Sequence, residues 1–158
     1  MIDGGNSHFP DSIRRTKYLK EKDIDFVLAP DKGAIKRTQQ ISDILGCEYD
    51  YLEKIRIDGT TVKIKPKNIE AQNKKVAIID DIISTGGTMA KAIKELKKQG
   101  AKKVSIACTH GLFVGGAKEK IISAGCDDII STDTIENEFS KVRAAPCISE
   151  VLLKNLHH

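Results

Sequence analysis

One segment constrains this chain more than any other: Val76–Thr88, VAIIDDIISTGGT. Val76–Ile79 is short, wholly apolar and mostly β-branched, the composition of a central parallel strand buried on both faces. Two carboxylates follow, Asp80 and Asp81, then a loop over Ile82–Gly87, and a helix is expected to begin near Thr88. A parallel strand that passes through a loop into a helix commits the chain to an α/β architecture. It also places the loop at the carboxyl edge of the sheet, where such folds bind ligands.

The flanking sequence repeats this alternation. Met89, Ile93 and Leu96 mark the buried face of the helix after the loop, and Gly100 ends it. Strands are expected over Asp25–Ala29, Glu48–Lys54, Val104–Cys108 and from Ile129-Ile130, with a short terminal one over Lys141–Ala144. Helices are expected over about Ser12–Lys22, Ala34–Leu45, Gly116–Ala124 and Ile148–Leu156. In the second of these, Ala34, Thr38, Ile41 and Leu45 share a face. Asp58–Thr61 reads as a hairpin tip or long loop with Val62–Lys65 as its return arm, and Pro66–Asn73 as a polar loop. The 158 residues suit one compact domain. Residues 25–158 form that domain after an irregular or helical segment over 1–24. The expected fold is three-layer α/β/α with a mainly parallel sheet.

The loop is suited to a phosphomonoester. Backbone N–H groups at a helix start are unpaired, and the helix dipole adds partial positive charge there. Gly86 and Gly87 let the backbone approach an anion, and the hydroxyls of Ser84, Thr85 and Thr88 supply further donors. Asp80 and Asp81 repel phosphate, so they suit the next part of a ligand: vicinal hydroxyls, or a divalent cation held beside them. A phosphate at one end and a diol at the other describes ribose 5-phosphate. The plainer alternative is a strand–turn–helix with Thr88 as cap and two solvated acids. The whole run after a buried strand favours the phosphate cradle.

Composition removes other classes. Aromatics make up 4% of the chain and Trp is absent, so a stacking surface for single-stranded nucleic acid is not expected. Net charge is only +4, and pairs such as Lys74-Lys75, Lys97-Lys98 and Lys102-Lys103 read as solvated element ends. No apolar run reaches transmembrane length, and no signal-peptide pattern opens the chain. Cys47, Cys108, Cys126 and Cys147 form no metal-binding spacing, so reduced thiols in a cytosolic protein are expected.

The segment resembles the phosphoribosyl-pyrophosphate motif of the type I phosphoribosyltransferases. Within that family, DDIISTGGTM, KKVSIACTHGLF, APDKGA at Ala29–Ala34 and YDYLEKIR at Tyr49–Arg56 are similar to the ribose-phosphate pyrophosphokinases, especially archaeal members. The similarity continues weakly through Ser131–Ile135 and Ser140–Val142, so it spans about Val27 to Leu152. It implies Mg²⁺-dependent pyrophosphoryl transfer from ATP to ribose 5-phosphate. Asp31, Lys32 and Gly33 match the pyrophosphate loop, with Asp31 sharing in metal binding. Lys54 and Arg56 match a Lys and an Arg that close over the reacting phosphates as catalytic cations. Ser84, Thr85, Gly86, Gly87 and Thr88 hold the 5-phosphate, and Asp80 and Asp81 orient the ribose hydroxyls and, through them, the metal. His8 and His110 receive no role.

Members of that group carry two tandem domains of this fold, and this chain matches the second. The adenine loop, the RQD-type segment and the metal-binding His of the first domain are not found. The chain is therefore expected to be a fragment or one half of a split enzyme, completed by another chain or by homo-oligomerisation. A phosphoribosyltransferase acting on a base is one rival reading, though no base-recognising hood stands out. A non-catalytic regulatory subunit is the other, and the retained Lys54 and Arg56 argue against it.

Overall fold

The computed structural model describes residues 19–57 and 62–156. His8, the expected turn Asp58–Thr61 and most of the expected helix Ser12–Lys22 lie outside those residues. Leu19 and Lys20 are helical, and Leu19 is fully buried.

The strands are β1 (Phe26–Ala29), β2 (Glu48–Arg56), β3 (Val62–Pro66), β4 (Lys75–Ile83), β5 (Lys103–Gly111), β6 (Asp128–Thr132) and β7 (Ser140–Val142). The helices are α1 (Ile35–Leu45), α2 (Gly87–Lys98), α3 (Ala117–Ser123) and α4 (Ala145–Leu156), and a 3-10 turn, Lys32–Ala34, precedes α1. The sheet runs in the order β3-β2-β1-β4-β5-β6-β7. Every pairing is parallel except β2 with β3, which form an antiparallel hairpin at one edge.

Alternate side chains of the central strands feed two cores, as the period of two requires. Phe26, Leu28, Val76, Ile78 and Ile106 pack with Met89, Ile93 and Leu96 of α2 and Ile121 of α3. Val27, Ala77, Ile79 and Ile130 face the other way, with Ile41 of α1 and Leu19. Helices therefore cover both faces of a mostly parallel sheet.

Several expected boundaries are corrected. β4 does not stop at Ile79 but continues through both acids to Ile83, so the loop shortens to Ser84–Gly86. β5 runs on through His110 to Gly111. β2 does not stop at Lys54 but continues to Arg56, with Lys54 opposite Ile64 and Arg56 opposite Val62. α4 starts three residues earlier than the expected Ile148. In the first three cases a neighbouring strand supplies ladder hydrogen bonds that outweigh the low strand preference of Asp, Glu, Lys and Gly.

The polar connection after β3 is pinned by a buried acid on β2. Asp50, 2% exposed, accepts hydrogen bonds from the backbone N–H groups of Asn68 at 2.6 Å and Ile69 at 3.0 Å. Asp50→Ala leaves those donors unpaired and is expected to cost about 2–3 kcal/mol in chemical denaturation. The lysine pairs lie at element ends as expected, with Lys75 on Asp23 at 2.7 Å and Lys97 on Asp127 at 2.6 Å. Burial pushes the thiols of Cys47 and Cys126 up to about 11, which leaves them unreactive near neutral pH. Among the described residues, no helix is long and apolar enough to cross a membrane.

Candidate active site

β4 lies between β1 and β5, so its carboxyl end opens at the middle of the sheet edge. The loop that follows is braced by the connection after β5. Leu112 N–H donates to the Ile83 carbonyl at 2.9 Å, and Val114 N–H to the Ser84 carbonyl at 3.1 Å. Gly86 then turns the chain into α2 with φ +69°, the left-handed region that favours glycine. A β-carbon there would lie 3.0 Å from Ile121 Cδ1 and 3.1 Å from Ala117 Cβ, so Gly86 also permits the close approach of α3. At Gly87 a β-carbon would meet nothing within 4 Å. The N-cap residue Gly86 offers no side-chain acceptor to the first N–H groups of α2. The side chains of Ser84, Thr85 and Thr88 stand exposed beside them.

These groups border a cleft of about 300 Å³ lined by Pro30, Asp31, Lys54, Asp80 and Ile82–Met89. The structure thus brings Asp31, Lys54, Asp80, Ser84, Thr85, Gly86, Gly87 and Thr88 together from three separate strand ends. Asp81, Lys32, Gly33 and Arg56 are not part of its lining. Lys32 is exposed on the 3-10 turn, and Arg56 is exposed farther out on β2, on the same strand face as Lys54. Gly33 N–H is held at 2.8 Å by Asp31 Oδ1, which also accepts from Ala34 N–H at 3.2 Å. Asp31 therefore caps its own loop through one carboxylate oxygen.

The two adjacent acids have different surroundings. Asp81 Oδ2 receives a hydrogen bond from Arg37 Nη1 at 2.9 Å, and Asp81 Oδ1 accepts from Ile82 N–H at 2.9 Å. Asp80 lines the cleft, and its Oδ1 accepts from Asp81 N–H at 2.8 Å. Burial, and then the neighbouring Asp81 carboxyl, push Asp80 up to about 7 from an ordinary 3.8. Burial opposes the charge of Asp81 too, but the bonds to Arg37 and Asp80 outweigh it and hold Asp81 below its ordinary value. Arg37 was not singled out from sequence. Its one local signal was an Arg within the first turn of the helix that follows the Asp31 loop. His110 points its Nδ1 at Thr134 Oγ1, 2.8 Å away.

The carboxylate and hydroxyl oxygens here are hard donors, suited to Mg²⁺. Among the described residues no group of three or more His, Cys, Asp and Glu side chains is placed to hold a metal. Asp31 and Asp80 fit a cation that takes its remaining ligands from substrate and water.

The sequence model for the phosphoribosyl transferase domain matches residues 11–143. The chain belongs to that family. This phosphoribosyl transferase domain is similar to archaeal ribose-phosphate pyrophosphokinases. It is 47% identical to ribose-phosphate pyrophosphokinase 2 of Archaeoglobus fulgidus over 134 residues, 85% of this chain and 49% of that protein. It is 49% identical to the enzyme of Pyrococcus furiosus over 126 residues, 80% of this chain and 45% of that protein. The domain thus spans about half the length of the curated relatives it matches. Among solved structures, phosphoribosylpyrophosphate synthetase from Mycobacterium smegmatis superposes with a TM-score of 0.75 at 26% identity, over 92% of this chain and 50% of that one. Purine phosphoribosyltransferase from Pyrococcus horikoshii shares the fold at a TM-score of 0.54 and 24% identity, over 77% of this chain and 80% of that one.

Proposed function

We propose that this domain is the ribose 5-phosphate and pyrophosphate-binding half of a ribose-phosphate pyrophosphokinase. The carrying observation is the single cleft that joins an uncapped helix start, a half-buried carboxylate and a lysine from a separate hairpin. In the reaction, the ribose 1-hydroxyl attacks the β-phosphorus of ATP. The bond from that phosphorus to the α-phosphate oxygen breaks, and AMP leaves as phosphoribosyl pyrophosphate forms.

Ser84–Thr88 bind the 5-phosphate through backbone N–H groups and hydroxyls. Asp80 and Asp81 accept hydrogen bonds from the ribose hydroxyls and orient the sugar. Lys32 and Gly33 receive the pyrophosphoryl group, and its arrival draws Gly33 N–H away from Asp31 Oδ1. Lys54 and Arg56 neutralise charge that develops on the transferring group, with the hairpin carrying them over the cleft. Asp31, with Asp80 through the ribose hydroxyls, would hold Mg²⁺, which when bound neutralises phosphate charge and aligns the oxygens. No side chain acts as a nucleophile; positioning and electrostatics supply the rate. The adenine of ATP is bound by a second domain of the same fold.

Calorimetric titration with ribose 5-phosphate and Mg²⁺, followed by ATP and an assay for AMP, tests the reading. Saturable one-to-one binding that inorganic phosphate displaces is the expected result, with AMP released only when the ATP-binding half is supplied. Absence of ribose 5-phosphate binding would refute it.

A further inference from the structure

We propose that Arg37 is a positioning residue of this site, which holds Asp81 on the α1 face of the sheet and ties the Asp31 loop to the Asp80-Asp81 strand. The proposal rests on the ribose-phosphate reading above.

Over Val76–Ile79 successive side chains alternate between the two faces of the sheet. Ala77 and Ile79 face the core that contains Ile41 of α1. Asp81 continues that row, and Arg37 reaches it from the first turn of α1. Two neighbouring carboxylates repel one another, and without a fixed partner each samples several rotamers. Arg37 removes that freedom for Asp81. The order then propagates, since Asp81 Oδ1 holds Ile82 N–H and Asp81 N–H is held by Asp80 Oδ1. Asp80, the acid that lines the cleft, is thereby oriented from behind.

Arg37 is not among the residues lining the cleft but shares a smaller cavity with Asp80, so it reaches the cleft through its charge on Asp80 as well as through its bond to Asp81. A purely stabilising role is a poor account of the pair. Its side chains are 34% and 47% exposed, and pairs so exposed contribute little to folding. The position is more telling: α1 follows directly on the 3-10 turn capped by Asp31. The pair therefore spans from the element that positions Asp31 to the strand that carries Asp80, across 44 residues of sequence.

The test compares Arg37→Met and Arg37→Lys in the full chain. Three readouts are taken: affinity for ribose 5-phosphate, affinity for inorganic phosphate, and the ligand-free amide resonances of Asp81 and Ile82. Arg37→Met is expected to weaken ribose 5-phosphate binding about tenfold, as loss of an orienting partner typically does. Inorganic phosphate, which needs only the Ser84–Thr88 loop, is expected to bind as before. Arg37→Lys keeps the charge and restores both the affinity and the amide positions. Equal weakening of both ligands, or unchanged amide resonances in Arg37→Met, would overturn the proposal. If the unsubstituted protein takes no ribose 5-phosphate, the ribose-phosphate reading fails, and the amide resonances alone decide whether Arg37 orders the two acids.

Discussion

Asp80→Asn is expected to weaken ribose 5-phosphate binding while making the ligand-free protein more stable at pH 8. The affinity loss follows from the role proposed for the carboxylate as acceptor for a ribose hydroxyl. A hydrogen bond to a charged group contributes enough that its loss costs on the order of 10- to 100-fold in affinity. The stability gain follows from burial. Asp80 titrates near 7 in the folded chain against an ordinary 3.8, so the fold binds that proton more tightly than the unfolded chain does. The resulting stabilisation is complete below pH 3.8 and is lost as pH rises through about 7. Asn carries no charge at any pH and escapes the loss. Thermal melts at pH 5 and pH 8 check this: the advantage of the Asn variant should grow with pH. An advantage that is flat or shrinks would show that the carboxylate is not strained by burial. Affinity equal to that of the unsubstituted protein would remove Asp80 from the binding site.

The second large effect separates two neighbouring glycines. Gly86→Ala is expected to destabilise the domain by about 2–4 kcal/mol, from a left-handed backbone and overpacking against α3. The left-handed contribution comes from φ +69°, and the packing contribution from Ile121 and Ala117 at 3.0 and 3.1 Å from the added carbon. Gly87→Ala meets no neighbour within 4 Å. It is expected to leave stability unchanged or raise it by up to about 1 kcal/mol. Yet that space is where the proposed 5-phosphate approaches the backbone, so Gly87→Ala should still lose affinity for ribose 5-phosphate. Urea unfolding and calorimetry on both variants separate the outcomes. A Gly87→Ala protein with full affinity would place the phosphate elsewhere, and a Gly86→Ala protein of normal stability would contradict the packing of α2 on α3.

Much of this was legible in the chain. The apolar run Val76–Ile79, the glycines at 86 and 87 and the spacing of Met89, Ile93 and Leu96 are local signals. A strand, a tight turn and an amphipathic helix each declare themselves within a few residues. The α/β class follows from those signals alone, and the expectation of a phosphate cradle rests on them too. The resemblance in Ala29–Ala34 and Tyr49–Arg56 drew in Asp31 and Lys54, which the fold carries to the same cleft.

Tertiary structure decided what depends on partners distant in sequence. β4 and β5 continue through polar residues because each completes the other's ladder, with Asp80 opposite Cys108 and Ile82 opposite His110. The two acids thereby take different partners, Asp81 the Arg37 guanidinium and Asp80 the Asp81 N–H at the cleft, where adjacency in sequence had suggested one shared role. Arg37 meets Asp81 only because α1 packs on the face to which Ala77 and Ile79 point. Lys54 lines the cleft while Arg56 lies beyond its lining, because the antiparallel hairpin carries β2 past the sheet edge. Local periodicity reports which elements form. The contacts that set the charge and orientation of each acid arise between elements, and only their packing determines them.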